Sequence, residues 1–370
     1  MTVSLGRVLP VLLCATLGMF AVAPAAHVAG AQGLPPRHIH ILRPPRSGGA
    51  APNTPSTNLE YHGGPVVHAG TVYAIYWLPA GVSTSPNYQP LINRYFTDIG
   101  ATSLFNIVIQ YPDTCCPHNT SAFGAWLDTT TYPRAGTQAD PLLDSDIEAE
   151  ALRAISANPS WRPPGSDTSY FVYTGRNVYS CADATKTVCF PNQYCAYHGS
   201  FVSGSSTVLY ANMPDAGTTC LALQGPNGDP EADGEIALTS HEHFEIVTDP
   251  QPDVNTAWSD ASGFEIGDKC AYTFGSIQPD NSNVVLHGHP YVVQQEWSNI
   301  IAGCALSYPP PSVGGIAEQA PLAQTDAAAA QTGAAAATGE EPSIRDLLSI
   351  AAAGSVALVS VALWLTRRAG

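Results

Sequence analysis

The densest chemistry in the chain lies in TSHEHFEIVTDP, residues 239–250. The run follows the metal-holding helix pattern H-E-x-x-H at its first two positions and departs from it at the last, where Glu245 stands in place of histidine. Residues four apart lie about 40° apart around a helix, so His241 and Glu245 share a face and Glu242 sits beside it. The pattern thus supplies two metal ligands at i and i+4, with a carboxylate between them that can take a proton from a water at that face. His243 falls about 200° from His241 and leaves the cluster if the segment is helical. A strand would instead put His241 and His243 on one face. The apolar set Ile236, Phe244 and Val247 fits a helix better than it fits alternation.

A catalytic metal needs a third protein ligand and an open position. GFEIGDKC, residues 263–270, offers Glu265 and Asp268, far enough beyond Glu245 for a turn and an antiparallel return. His198 in YCAYHGS and His287 and His289 in LHGHP are further candidates. In this reading His241, Glu245 and either Glu265 or Asp268 hold a divalent metal, Glu242 is the catalytic base, and a peptide bond is hydrolysed. One imidazole among carboxylates is a harder, more anionic site than zinc enzymes usually present. Zn²⁺ is still expected first, with Mn²⁺ or Ca²⁺ as alternatives, and the extra negative charge would weaken the metal as a Lewis acid. His and Glu on a helix are often plain solvated surface. Against that stands the crowding of Ser240, His241, Glu242, His243 and Glu245 into a segment otherwise suited to burial.

These residues must be positioned by the elements around them. TVYAIYWLP predicts an interior strand over 72–78, stopped by Pro79. Leu91, Ile92, Tyr95, Phe96 and Ile99 recur at helical spacing and predict a helix over 89–100. LFNIVIQY reads as a strand over 104–111, residues 140–159 as a second helix, and 169–175 and 206–214 as strands. A third helix is expected to begin after Asp233-Gly234 and to stop near Asp249-Pro250. The order predicts an α/β or α+β fold, a mixed sheet with packed helices, and matches the zincin-like order of elements leading to an active-site helix. No G-x-S-x-G elbow is present. Tyr61, Tyr73, Tyr76 and Trp77 could line a carbohydrate face, but burial tendencies favour a core role.

The chain has 370 residues. Residues 1–31, with Arg7, an apolar run and Ala29-Gly30-Ala31, read as a secretory signal peptide. Residues 32–58 read as a disordered linker and 59–307 as one exported globular domain. Residues 308–342 are a low-complexity stalk unable to build a core. Residues 343–370 hold an uncharged run, 347–365, followed by Arg367 and Arg368; they read as a transmembrane anchor with a short basic tail. The expected location is therefore the outer face of the cell membrane. Without Cys14, eight cysteines remain, enough for four disulfides in an exported domain. A net charge of −16 with only two lysines, Lys186 and Lys269, argues against nucleic-acid partners. A peptide or a cell-wall polymer fits better.

YHGGPVVHAGTVYAIYW (61–77) resembles the opening of the Exordium-like, phosphate-induced secreted proteins. YCAYHGS (194–200), LYANMP (209–214), TDP (248–250), EIGDKC (265–270) and WSN…C (297–304) are also similar to that family. The resemblance is scattered over nearly all of 59–307, and His241-Glu242-x-x-Glu245 matches its bacterial-type members. It implies a secreted, wall- or surface-associated protein without an established catalytic activity, and it assigns no catalytic residues.

Overall fold

A computed structural model describes residues 39–45, 57–115 and 119–309. The expected signal peptide, the anchor, and the stalk beyond residue 309 lie outside the described residues. Among the described residues no helix is long and apolar enough to cross a membrane.

The molecule is a mixed sheet with helices packed on it. Its strands are β1 (Ile39–Leu42), β2 (Gly70–Trp77), β3 (Ser121–Asp128), β4 (Thr168–Thr174), β5 (Ala196–Ser203) and β6 (Ser206–Met213), in the spatial order β1-β5-β6-β4-β2-β3. Strands β3, β2, β4 and β6 run parallel; β5 turns back against β6, and β1 pairs antiparallel with the outer edge of β5. Every residue of β4 is buried, as its apolar run requires of a strand covered on both faces.

Alternation along the strands sorts the two layers. Phe171 and Tyr173 face the helices α1 (Tyr88–Asp98) and α3 (Pro230–Thr248): Phe171 contacts Phe96, and the Tyr173 hydroxyl meets Thr239 Oγ1 at 3.0 Å. Tyr170 faces the other way, as does its cross-strand partner Tyr210, whose hydroxyl donates to Asp144 at the start of α2 (Asp144–Ala157). Tyr73, Tyr76 and Trp77 are buried in this core, whereas Tyr61 is exposed.

Two expected elements differ. Residues 104–111 do not form a strand; Phe105–Gln110 is a 3₁₀ helix. Thr102 starts it, its hydroxyl accepting from the Phe105 amide, and Phe105 packs on the rings of His243 and Phe244. The strand beside β2 is instead β3, half-exposed at the sheet's edge and so without a continuous apolar run. The expected linker 32–58 is also corrected in part, because Ile39–Leu42 is a strand with three buried apolar side chains.

All of α3 beyond Pro230 is buried, although it carries Glu231, Asp233, Glu235, Glu242 and Glu245. It begins at Pro230, five residues before the expected start at Glu235, because Asp229 caps it by accepting from the Ala232 amide. The acids of its first half are answered locally. Glu231 pairs with Arg176 and accepts from the Ser85 amide, and Glu235 accepts from the Ala216 amide. Gly234 marks a close approach of backbone: a Cβ there would stand 2.3 Å from the Gly217 carbonyl oxygen.

Three cysteine pairs lie at disulfide distance: Cys181–Cys189, Cys195–Cys220 and Cys270–Cys304. The second fixes the approach to β5, and the third fixes the loop after α3. Of the expected fourth pair, Cys115 is exposed and unpaired, and Cys116 lies outside the described residues.

Gly234→Ala separates these forces. Helix propensity alone would stabilise the variant by about 1 kcal/mol, while overpacking against Gly217 costs about 1–3 kcal/mol. We expect a net loss in urea unfolding; a gain would contradict the close approach.

Candidate functional site

Four pieces of chain converge at the C-terminal half of α3. The helix presents His241, Glu242 and Glu245; β5 presents His198; the loop after α3 presents Glu265 and Asp268; β1 presents His40. All five residues expected from the sequence are thus brought together, and His198 joins them.

Their donor atoms are close. His241 Nε2 lies 3.1 Å from Glu245 Oε1 and 4.0 Å from Asp268 Oδ1. His198 Nδ1 lies 3.0 Å from Glu242 Oε2 and 3.6 Å from Glu245 Oε2, and its Nε2 lies 3.6 Å from Glu265 Oε2. Three donor groups of metal-binding size overlap here: His40, Glu245, Asp268; His198, Glu245, Glu265; and His241, Glu242, Glu245. Glu245 is common to all three.

The local structure explains the convergence. The helical turn from His241 to Glu245 stacks their side chains, and Pro250 with the Asp249 cap ends the helix one turn on. Asp249 turns the chain by accepting from the Ala257 amide. The loop then returns over the helix, where the Asp268 amide donates to Glu245 Oε1 at 3.0 Å. It passes so near that a Cβ at Gly267 would stand 2.6 Å from His241 Nδ1 and 3.0 Å from Glu245 Oε1. This return is a loop ending in a short 3₁₀ turn, Asp268–Cys270.

The cluster is closed. His198, His241, Glu242 and Glu245 are 0% exposed and Glu265 is 1% exposed. The outermost member is His40, with 20% of its side chain exposed; its Nε2 is 2.5 Å from Asp268 Oδ2 and its Nδ1 is 3.1 Å from Glu265 Oε1.

Burial and crowding set the electrostatics. Burial pushes Glu242 up to about 8, against the pull of the His241 and His40 charges. Burial, with Asp249 and Glu245 beside it, pushes Glu265 well above the carboxylate range. Burial opposes charge on His241 and His40, but Glu245 for the first and Asp268 for the second outweigh it and raise both to about 10. Asp268 is held down to about 2 because His40, by charge and hydrogen bond, overcomes the effect of burial. His198 is different: burial lowers it to about 4, so its ring is neutral at neutral pH. The Asp249 carbonyl, 3.2 Å away, can only accept, so His198 Nε2 donates to it. Nδ1 is left as an acceptor facing Glu242 and Glu245.

Several buried atoms of these side chains have no hydrogen-bond partner, namely His241 Nδ1, Glu242 Oε1, Glu245 Oε2 and Glu265 Oε2, while His241 Nε2 has only the Glu245 carboxylate at 3.1 Å. Buried polar atoms are normally paired, so this concentration of unmatched donors and acceptors fits a site shaped for a cation. The His241–Glu245 and His198–Glu245 donor separations of 3.1 and 3.6 Å also compare with the edge of about 3.4 Å expected for ligands around tetrahedral zinc.

His243 points away, as the helical reading expects. Its ring stacks on Phe105, meets Phe96 and Phe171, and burial lowers it to about 3. His289 pairs with Asp98, and His287 bonds the Gly100 carbonyl oxygen, so neither reaches the cluster. Sequence reasoning missed His40, Asp249 and Glu296, the last buried behind the cluster with neither carboxylate oxygen bonded. For His40 a signal existed: the alternation His-Ile-His-Ile in 38–41 is that of a strand.

Comparison of the chain with family models, curated proteins and solved structures gives no match.

Two stability measurements check this geometry. His243→Phe, within an aromatic nest and without a polar role, should change the free energy of unfolding by less than about 1 kcal/mol. Gly267→Ala should cost about 1–3 kcal/mol by driving a methyl into His241. The opposite ranking would contradict the assignment of the two faces of α3.

Proposed function

We propose that the cluster on α3 holds a divalent metal, Zn²⁺ first, and that the chain uses it to hydrolyse peptide bonds on the outer face of the membrane. The observation that carries the proposal is the overlap of three buried His/carboxylate donor groups on Glu245, which bring His241, His198, Glu265 and Asp268 around one carboxylate. His241, Glu245, His198 and Glu265 or Asp268 would hold the ion. A second imidazole, His198, softens a donor set that is carboxylate-rich in the sequence alone, and this favours Zn²⁺ over Mn²⁺ or Ca²⁺. The element order, strand–helix–strand–helix–strand, a hairpin, then the ligand-bearing helix, is also what a zincin-like fold would have.

Bound there, the ion would polarise a substrate carbonyl and make a neighbouring water more acidic. The chain's own groups supply the rest. Glu242 accepts the proton of the attacking water and passes it to the departing amine. His198, held by donating from Nε2 to the Asp249 carbonyl, would present its Nδ1 lone pair to the ion. The loop Glu265–Asp268 and the buried walls exclude bulk water, which strengthens each of these interactions.

A second reading is favoured by the closure of the site. With only His40 and the edge of Asp268 touching solvent, the domain could be a non-catalytic Exordium-like surface module that binds wall polymer or a partner protein.

Metal analysis of the purified full chain separates the two. We expect about one zinc per chain in the wild type and none in His241→Ala; negligible metal in both would end the metal proposal. Glu242→Gln should keep the metal and lower hydrolysis of a mixed peptide library by about 10²–10⁴-fold. For the tether, truncation before Ser343 should release the protein from membranes, and continued retention would refute the anchor.

A further inference from the structure

His40 enters the cluster from an unusual place. It lies on β1, the first described element, a four-residue strand whose only sheet partner among the described residues is the outer edge of β5. The remaining five strands pair with one another without it, since β5 has its other edge on β6. His40 lies opposite His198, and cross-strand partners share a face, so its side chain is aimed at the cluster. There it contacts Asp268 and Glu265, and it is the most exposed member of a cluster whose other donors are buried. With β1 in place no substrate carbonyl can reach Glu242 or Glu245. With β1 gone, the backbone groups of β5 from Ala196 to Gly199 become a free edge directly beside the metal donors, the arrangement that binds extended peptides by strand addition.

We propose that β1 is a tethered stand-in for substrate: Ile39–Leu42 fills the slot along β5 in which an extended peptide binds, and His40 seals the cluster below it. The inference rests on the reading of that cluster as a hydrolytic metal site, and it adds the ligand's chemistry and the device that restrains it. The ligand is an extended segment with apolar, β-branched side chains at alternate positions. Ile39 lies opposite Gly199, where the missing side chain leaves room, and Ile41 opposite Tyr197; they are 1% and 7% exposed. The residue between them stands over the metal donors. Displacement of β1, with loss of the His40 contacts to Asp268 and Glu265, is the opening step. The Leu42 carbonyl, which accepts from the Cys195 amide, and the Arg43 carbonyl, which accepts from the Tyr272 hydroxyl, hold the strand's far end.

The test uses the full chain, zinc-loaded, and a fluorescent peptide copying residues 38–45, HIHILRPP. Ile41→Asp puts a charge where the strand packs and should release β1. Anisotropy should show saturable peptide binding to this variant and at least ten-fold weaker binding to the wild type, whose slot is filled. A peptide with alanine in place of His40 should bind the variant more weakly. Absence of binding to a folded Ile41→Asp protein, or equal binding to wild type, would overturn the proposal. Unfolding of that variant would overturn it too, because a displaceable strand cannot be required by the fold. As a second arm, His40→Ala should pass zinc to a chelator at least ten-fold faster than wild type, and equal rates would contradict the seal. If neither protein holds zinc, the metal reading falls while the peptide-binding arm still decides the role of β1.

Discussion

The structure depends on hiding a charged helix. α3 passes through the centre of the domain with its acidic and imidazole side chains out of water, and an ionised carboxylate placed there alone is strongly unfavourable. Each half solves the problem differently. Near the N-terminus, Arg176 and backbone amides answer Glu231 and Glu235, assisted by the positive end of the helix. Near the C-terminus the basic partners seen in the cluster are imidazoles. Three histidines, displaced protons and, in the proposed holo state, one cation share the charge of Glu242, Glu245, Asp268 and Glu265.

That requirement shapes the surroundings of the helix. The loop after α3 must return close enough for its Asp268 amide to reach Glu245, which only a glycine at 267 permits. The Cys270–Cys304 pair then ties that loop to the small hairpin of Glu296–Ser298 and Gly303–Ala305, and Cys195–Cys220 ties the strand carrying His198 to the segment leading into α3. The cross-links lie beside the four pieces of chain whose mutual position sets the donor distances. A site assembled from a helix, a strand and a loop needs such ties, because a shift of an ångström in any one of them breaks the set.

Much of this was legible in the residues. The spacing of His241 and Glu245 placed them on one face and sent His243 to the other, where the aromatic nest of Phe96, Phe105 and Phe171 receives it. Glu265 and Asp268 were visible as carboxylates at a plausible distance along the chain. What periodicity missed depends on tertiary pairing. Residues 104–111 are apolar enough for a strand, yet they sit against α3 with no sheet edge to join and coil into a 3₁₀ turn. Strand β3 is half-exposed and carries no clear pattern, and β1 hid its alternation within a Pro- and Gly-rich segment. His198 could be named as a candidate but not chosen, since its place in the cluster comes from the register of a hairpin.

The account's central claim is that the donor atoms around Glu245 exist to hold one metal ion. Crystals of the full chain grown with zinc test it most directly, through an anomalous difference map recorded at the zinc absorption edge. The account predicts a single strong peak bounded by His241, Glu245 and His198, with Glu265 or Asp268 completing the set. A map with no peak in the cluster, or with zinc only at surface histidines such as His289, would contradict it.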